Sequence, residues 1–279
     1  MIEDILFVLV LYEKELKNSE SFNSIKSQLE KYNEKSFFYI YDNSKLPHIV
    51  NNNENIHIEY IHDSSNSGLS FAYNLASKYA FKLNKKWLVL LDQDTDFELN
   101  YIKTLIESIK HNPNIELFAP ILTIDNNQLF SPCQFKLNRG FLIKNINPGK
   151  HSLTNFSPVN SGMVVKLDLF NRAGGYNEKI KLDFSDFQFI EKVKKFNSDF
   201  YVIPSVNFQD FSNNEKNVVK LNNRFYYFCN GAKNFERNTY FDSFLFFMVV
   251  SQRMLSLIIK TQSLIFLRTF IENYISSKK

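Results

Sequence analysis

The sequence predicts an α/β fold, a mostly parallel sheet flanked by helices, with a helical extension at its C-terminal end. Three observations carry that expectation. Residues 5–11 and 87–91 are short, wholly apolar runs bounded by polar residues, the pattern of strands buried on both faces. The first hundred residues read strand–helix–strand–strand–helix–strand, and such alternation implies parallel strands joined by helices. From Asn222 onward the chain is aromatic, basic and helical in pattern, which separates a main unit, 1–212, from an extension, 213–279.

Taken in order, 5–11 is the first strand. Residues 14–32 show helical spacing through Leu16, Phe22, Ile25 and Leu29, with Ser19 or Ser21 as N-cap. Strand 36–41 ends at Asp42-Asn43-Ser44. A polar loop, 51–55, leads into 56–61, where apolar and polar residues alternate as in a half-exposed strand. Asn66-Ser67-Gly68 precedes a helix over 69–83. The central strand, 87–91, runs into Asp92-Gln93-Asp94-Thr95-Asp96, with Asp96 placed to cap a helix starting near Glu98. A helix over 101–110 ends at Asn112-Pro113-Asn114.

Strand 117–124 contains Pro120, which argues for a position near a sheet edge. Residues 126–156 lack clear periodicity and read as a functional loop or lid. A strand over 159–167, a helix from 169 to 173 and the Gly174-Gly175 break follow. Helix 184–196 carries Phe187, Ile190 and Val193 on one side, and strand 200–203 stops at Pro204. Composition shifts near Asn213. The extension reads as a helical hairpin packed on the main unit, with an interfacial element bearing snorkelling basic residues as the alternative.

Composition narrows the function. A net charge of +4 is too mild for nucleic acid. Cys133 and Cys229 lack metal-type spacing, and so few cysteines fit a reducing, cytoplasmic compartment. The acidic start, Met1-Ile2-Glu3-Asp4, is unlike a signal peptide. Arg253, Lys260 and Arg268 interrupt the apolar tail, so no uncharged run reaches the ~18 residues expected of a spanning helix. The five histidines are scattered and suggest no zinc site.

The chemistry-bearing residues cluster at predicted strand ends, where open α/β sheets bind ligands. Asp92 and Asp94 suit a hard cation that takes the rest of its shell from water and phosphate, although acids also favour turns. Asp42, ending the second strand, can accept hydrogen bonds from a base or ribose, or simply form a turn. Asn66, Gly68 and Asn74 lie at a helix start, where free amides favour anions. Asn160-Ser161-Gly162 sits on a predicted strand, where glycine marks a close approach. Asp183 and Asp186 share a face if their helix has begun by Asp183, and either can serve as a general base.

Together and in order, these motifs resemble a family-2 glycosyltransferase of the GT-A (Rossmann-like) fold. The set is Asp42-Asn43-Ser44, Asn66-Ser67-Gly68 with Asn74, Leu90-Leu91-Asp92-Gln93-Asp94, Asn160-Ser161-Gly162, Gly174-Gly175-Tyr176-Asn177-Glu178, and Asp183 with Asp186. It spans about three-quarters of the chain, and its Asp-Gln-Asp form is similar to the rhamnosyltransferase-like branch that builds bacterial surface polysaccharides. The resemblance implies a catalytic domain over 1–212 and inverting transfer from a nucleoside-diphosphate sugar to a saccharide or lipid-linked saccharide. It implies that Asp42, Asn66, Gly68, Asn74, Asp92 and Gln93 bind the donor, and that Asp94 with Asp92 and Gln209 holds Mg2+ or Mn2+. Asn160, Ser161 and Gly162 would bind the acceptor, and Asp186 would be the base, with Asp183 as its substitute.

The sequence departs from the family pattern at four places, one being Gln188 where an acid is common. Gln209 stands where many relatives have His, Ser185 precedes Asp186 where an acid is usual, and Lys192 replaces an Arg. Two other readings follow: a sugar nucleotidyltransferase, or an inactive nucleotide- or carbohydrate-binding module. The partners expected are the donor and the acceptor, with peripheral contact at the inner face of the cell membrane through the C-terminal helices, and a homodimer, as further expectations.

Overall fold

The computed structural model describes residues 1–32, 34–50, 55–210, 216–237 and 239–276. Most of the polar loop 51–55, the composition shift near Asn213, and Phe211 lie outside these residues. The strands are β1 (Ile5–Leu11), β2 (Ser36–Asp42), β3 (Ile56–His62), β4 (Trp87–Asp92), β5 (Thr95–Asp96), β6 (Leu117–Ile124), β7 (Gln128–Ser131), β8 (Gln134–Lys136), β9 (Arg139–Phe141), β10 (Gly149–Ser152), β11 (Val164–Lys166) and β12 (Asp199–Gln209). The helices are α1 (Glu20–Leu29), α2 (Leu69–Lys82), α3 (Tyr101–His111), α4 (Leu167–Arg172), α5 (Ser185–Val193), α6 (Val218–Asn234), α7 (Tyr240–Thr261) and α8 (Ile265–Phe270).

The main sheet runs β10-β12-β6-β11-β4-β1-β2-β3. Neighbours β3, β2, β1 and β4 are parallel, as are β6 and β12, while β11 runs against both β4 and β6. Alternation along the buried strands divides their side chains between two cores. Leu6, Val8, Leu88 and Leu90 face the layer containing Ala72, Ala76, Phe170 and Phe189. Phe7, Leu9, Val89 and Leu91 face Phe22, Ile25, Leu105 and Ile109 on the other side. A strand with helices on both faces has no polar side, which is why its sequence is apolar without interruption.

Several elements differ from the sequence expectation. The first helix begins only at Glu20, because Ser19 caps it by accepting from the Phe22 amide. Asp96 caps nothing: it pairs with Phe208 in β5, and α3 starts after Asn100. Pro120 lies in an interior strand. It is tolerated because β11 reaches only to Phe118, leaving that flank to Gly162, where a Cβ would stand 2.6 Å from Pro120 Cγ. Residues 126–156 hold β7 to β10, three- and four-residue strands too short to show a period. Strand β12 continues through Pro204 to Gln209, with a register shift between Ile203 and Val206 that accommodates the proline.

The extension docks on the main unit. Phe225, Cys229, Phe246, Val250 and Phe266 share a core with Ile180 and Phe184. Helix α7 buries Phe246, Val250, Met254 and Leu257 and exposes Phe241, Phe244, Met248, Leu255 and Ile259 on the opposite side. By length and composition α7 is apolar enough to cross a membrane, and 22% of its apolar window is buried. The expectation that no uncharged run reaches about 18 residues holds within α7, where Asp242, Arg253 and Lys260 interrupt the apolar residues.

Candidate active site

The site is built where β1, β2 and β4 end. Val10 pairs with Asp92 on one flank of β1, and Leu11 pairs with Asp42 on the other. Two strand spacings, roughly 10 Å, therefore separate Asp92 from Asp42. The turn after Asp92 is held from below by the start of α1. Ser19 Oγ donates to the Gln93 carbonyl at 2.9 Å, and Ser21 Oγ donates to the carbonyls of Asp92 and Thr95. These serines look like plain capping residues in the sequence, and nothing local links them to a turn more than 70 residues away.

The end of β12 closes the turn from the other side. Asp210 N donates to the Asp94 carbonyl at 3.0 Å. Gln209 Nε2 donates to Asp94 Oδ1, and Gln209 Oε1 accepts from Thr95 Oγ1, which also meets Ser161 Oγ. Gln209 was expected to be a metal ligand. It instead presents its nitrogen to Asp94 and its oxygen to Thr95, which makes it a hydrogen-bonding support of a candidate ligand.

Asp186 completes the group from α5. Phe184, in the left-handed region at φ 71°, turns the chain so that α5 starts at Ser185. Asp183 therefore lies before the helix and does not share its face. Asp186 Oδ1 accepts from the Phe187 amide at 2.8 Å. Asp183 Oδ1 accepts from Arg224 at 2.9 Å.

The carboxylates act on one another. Burial, then the charges of Asp94 and Asp186, push the Asp92 carboxyl up to about 7, against the pull of Arg224. Burial pushes Asp186 up to about 6, with the Phe187 amide opposing and Asp183 adding to it. Burial also raises Asp94, against the hydrogen bond from Gln209. Buried Tyr73, whose hydroxyl has no hydrogen-bond partner, is raised by burial and then by Asp92 and Asp186. Tyr73 carries no motif signal, being one aromatic among many on an apolar helix face.

The remaining expected residues are placed as supports. Asp42 is fully buried; it accepts from the Ser44 amide at 2.9 Å, from Tyr60 at 2.6 Å and lies 2.7 Å from His48 Nδ1. A base would reach it only after His48 or Tyr60 moved. The first amide of α2, at Leu69, donates to the Lys181 carbonyl at 2.8 Å, and Lys181 Nζ donates to the Asn66 carbonyl, so that this helix start is engaged by protein. Gly68, at φ 94°, meets Lys181 so closely that a Cβ would stand 2.6 Å from its oxygen. Asn74 exchanges hydrogen bonds with the Tyr176 backbone and donates to Glu178. Gln93 braces the Tyr12 backbone.

Asn160-Ser161-Gly162 forms a turn ahead of β11, not strand, because Gly162 at φ 72° and the Met163 amide bonded to Asn160 fold it back. This turn links the parts of the site: Asn160 accepts from Tyr176 at 2.6 Å, and Ser161 meets Thr95.

No three His, Cys, Asp or Glu side chains among the described residues converge to cage a metal. Asp92 and Asp94 fit a cation of another kind, held by two carboxylates with water and substrate phosphate completing its shell. Burial raises both carboxyls, and Asp94 adds to the rise at Asp92, so a cation held there would favour their ionised forms. A cavity of about 220 Å³ lies elsewhere, between the β8–β9 hairpin, α5 and the start of α7.

A mostly parallel sheet with carboxylates gathered at its strand ends defines an α/β enzyme of the GT-A type. The model of "Glycosyl transferase family 2" matches residues 7–169 of the 279. The chain belongs to that family of glycosyltransferases. It is 23% identical over 218 residues to the dTDP-rhamnosyl transferase RfbF of Shigella flexneri, covering 74% of this chain and 68% of that one. In fold it is similar to S. aureus TarS 1–349, with a TM-score of 0.51 at 11% identity, over 96% of this chain and 72% of that chain. The same fragment in complex with UDP-GlcNAc matches with a TM-score of 0.52 at 12% identity, again over 96% of this chain and 72% of that chain. Family membership sets aside the sugar nucleotidyltransferase reading.

Proposed function

We propose that the chain transfers a sugar from a nucleoside-diphosphate donor to a hydroxyl of a saccharide acceptor, with inversion, in the assembly of a bacterial surface polysaccharide. The observation that carries this reading is the meeting of Asp92, Asp94 and Asp186 at the strand ends, with Asp186 on a different element from the other two. The relatives named for dTDP-rhamnosyl transfer and in complex with UDP-GlcNAc support a nucleotide-sugar donor.

In a single displacement, the acceptor oxygen forms a bond to the anomeric carbon while the bond from that carbon to the diphosphate breaks. The electron pair leaves with the diphosphate. Asp186 takes the acceptor proton, and a carboxyl lifted toward neutrality by burial is a better base than an exposed one. Asp92 and Asp94 would hold Mg2+ or Mn2+, which offsets charge developing on the leaving diphosphate. Gln209, Thr95 and Ser161 fix Asp94 in place; Ser19 and Ser21 fix the backbone of its turn.

The test is release of nucleoside diphosphate from dTDP-rhamnose and UDP-GlcNAc with magnesium or manganese and a saccharide acceptor. Wild-type protein should release it from at least one donor, and Asp94→Ala should not. Turnover in Asp94→Ala equal to wild type would remove the metal from the reading.

A further inference from the structure

Helix α6 is the first element of the extension, and it carries a cation to the carboxylates. Arg224, Phe228 and Gly231 lie at i, i+4 and i+7 on one ridge of this helix, and all three meet the turn ahead of α5. A Cβ on Gly231 would stand 2.2 Å from the Asp183 carbonyl oxygen, so the helix backbone touches the turn directly. The Phe228 ring centre lies 4.8 Å from that of Phe184. Arg224 Nη2 donates to Asp183 Oδ1 at 2.9 Å.

That pairing is incomplete. Asp183 Oδ2 is buried and has no hydrogen-bond partner, while the Arg224 side chain is 56% exposed. A guanidinium offers five donors in a planar fork suited to two-point binding of phosphate, and here one donor meets one oxygen. The charge of Arg224 also reaches Asp92 and Asp186, where it favours the ionised forms. The guanidinium is thus half free, at the edge of the carboxylate group that includes Asp183 and Asp186.

We propose that Arg224 binds the diphosphate of the donor and that Asp183 holds it in readiness when the site is empty. This rests on the reading under Proposed function. As the bond from the anomeric carbon to the diphosphate breaks, the electron pair goes to the diphosphate oxygen, the acceptor proton goes to Asp186, and the guanidinium hydrogen-bonds the oxygens that gain charge. The extension would then be part of the donor site, and removing it would remove a substrate contact.

Calorimetric titration of UDP and dTDP, and of uridine and thymidine, into the whole chain with magnesium tests this. Arg224→Ala should weaken the better diphosphate roughly ten- to hundredfold and leave the nucleoside unaffected, with partial recovery in Arg224→Lys. Asp183→Asn should hold or tighten diphosphate binding, because it releases the guanidinium. A purely structural clasp predicts equal losses in Arg224→Ala and Asp183→Asn, and that result, or unchanged affinity in Arg224→Ala, overturns the inference alone. Failure of the wild-type chain to bind either diphosphate overturns the functional reading and this inference with it.

Discussion

Gln209 donates to Asp94 across 115 positions of sequence, tying the last strand of the sheet to the acidic turn after β4. The same amide accepts from Thr95, so one side chain serves two partners. Gln209→Leu removes both contacts, leaving the Thr95 hydroxyl with Ser161 alone, and should lower stability by about 1–3 kcal/mol. Thermal unfolding of the purified variant reads this directly, and a melting temperature equal to wild type would show that the Gln209 contacts contribute nothing.

Asp92 predicts an inverted pH dependence. Its carboxyl is raised to about 7 by burial, then by Asp94 and Asp186, so the folded state holds a proton that the unfolded chain releases near 4. The stability this gives is complete below about pH 4 and is lost as pH rises through about 7. A dry site would make the change about 4 kcal/mol. Asp92 keeps partial exposure, and screening reduces the expectation to about 1–2 kcal/mol. Asp92→Asn should therefore unfold at a higher temperature than wild type at pH 8 without added metal, with the gap closing by about pH 4. A gap that does not change with pH would count against the crowding of these carboxylates.

Asp186 links a titration to catalysis. A base pushed up to about 6 is protonated, and so idle, on the acid side of that value. The ratio kcat/KM should fall as pH drops through about 6. Asp186→Asn should bind donor nearly as wild type does, turn over at least ~100-fold more slowly and lose this acid limb. Rapid turnover in that variant would move the base to another residue.

The sheet was legible because its inner strands are buried on both faces and their sequences have no other use for so many apolar residues. The placement of Asp92, Asp94 and Asp186 near one another was legible because acids at a strand end or helix start stand out against that background. The roles of Gln209, Asn74 and Gln93 were not, since a polar side chain near a site has the same spelling whether it holds ligand or holds a loop. Asn74 bonds a backbone 102 residues away, and Arg224 lies beyond the last recognisable motif. Only the packing of the extension on Phe184 brings Arg224 to the site. Pro120 and Pro204 misled for a related reason: whether a proline breaks a strand depends on what the neighbouring strand needs from it, as β11 and the β12 register shift show.

Asp42 should behave in the opposite sense to Asp92. Burial works against its charge, but hydrogen bonds from Ser44 and Tyr60, and the nearby His48, outweigh burial and hold the carboxyl below its ordinary range. Its contribution to stability is present above about pH 4 and is lost as pH falls through the lower folded value. Tyr60→Phe removes a donor 2.6 Å from Oδ2 and keeps the ring, so the change isolates the hydrogen bond. It should cost about 1–2 kcal/mol at pH 7 and progressively less as pH falls toward and through the lowered folded value. Denaturant unfolding of both proteins at a series of pH values below 7 measures the trend. An equal loss across the series would mean that Tyr60 acts through packing and not through the charge of Asp42.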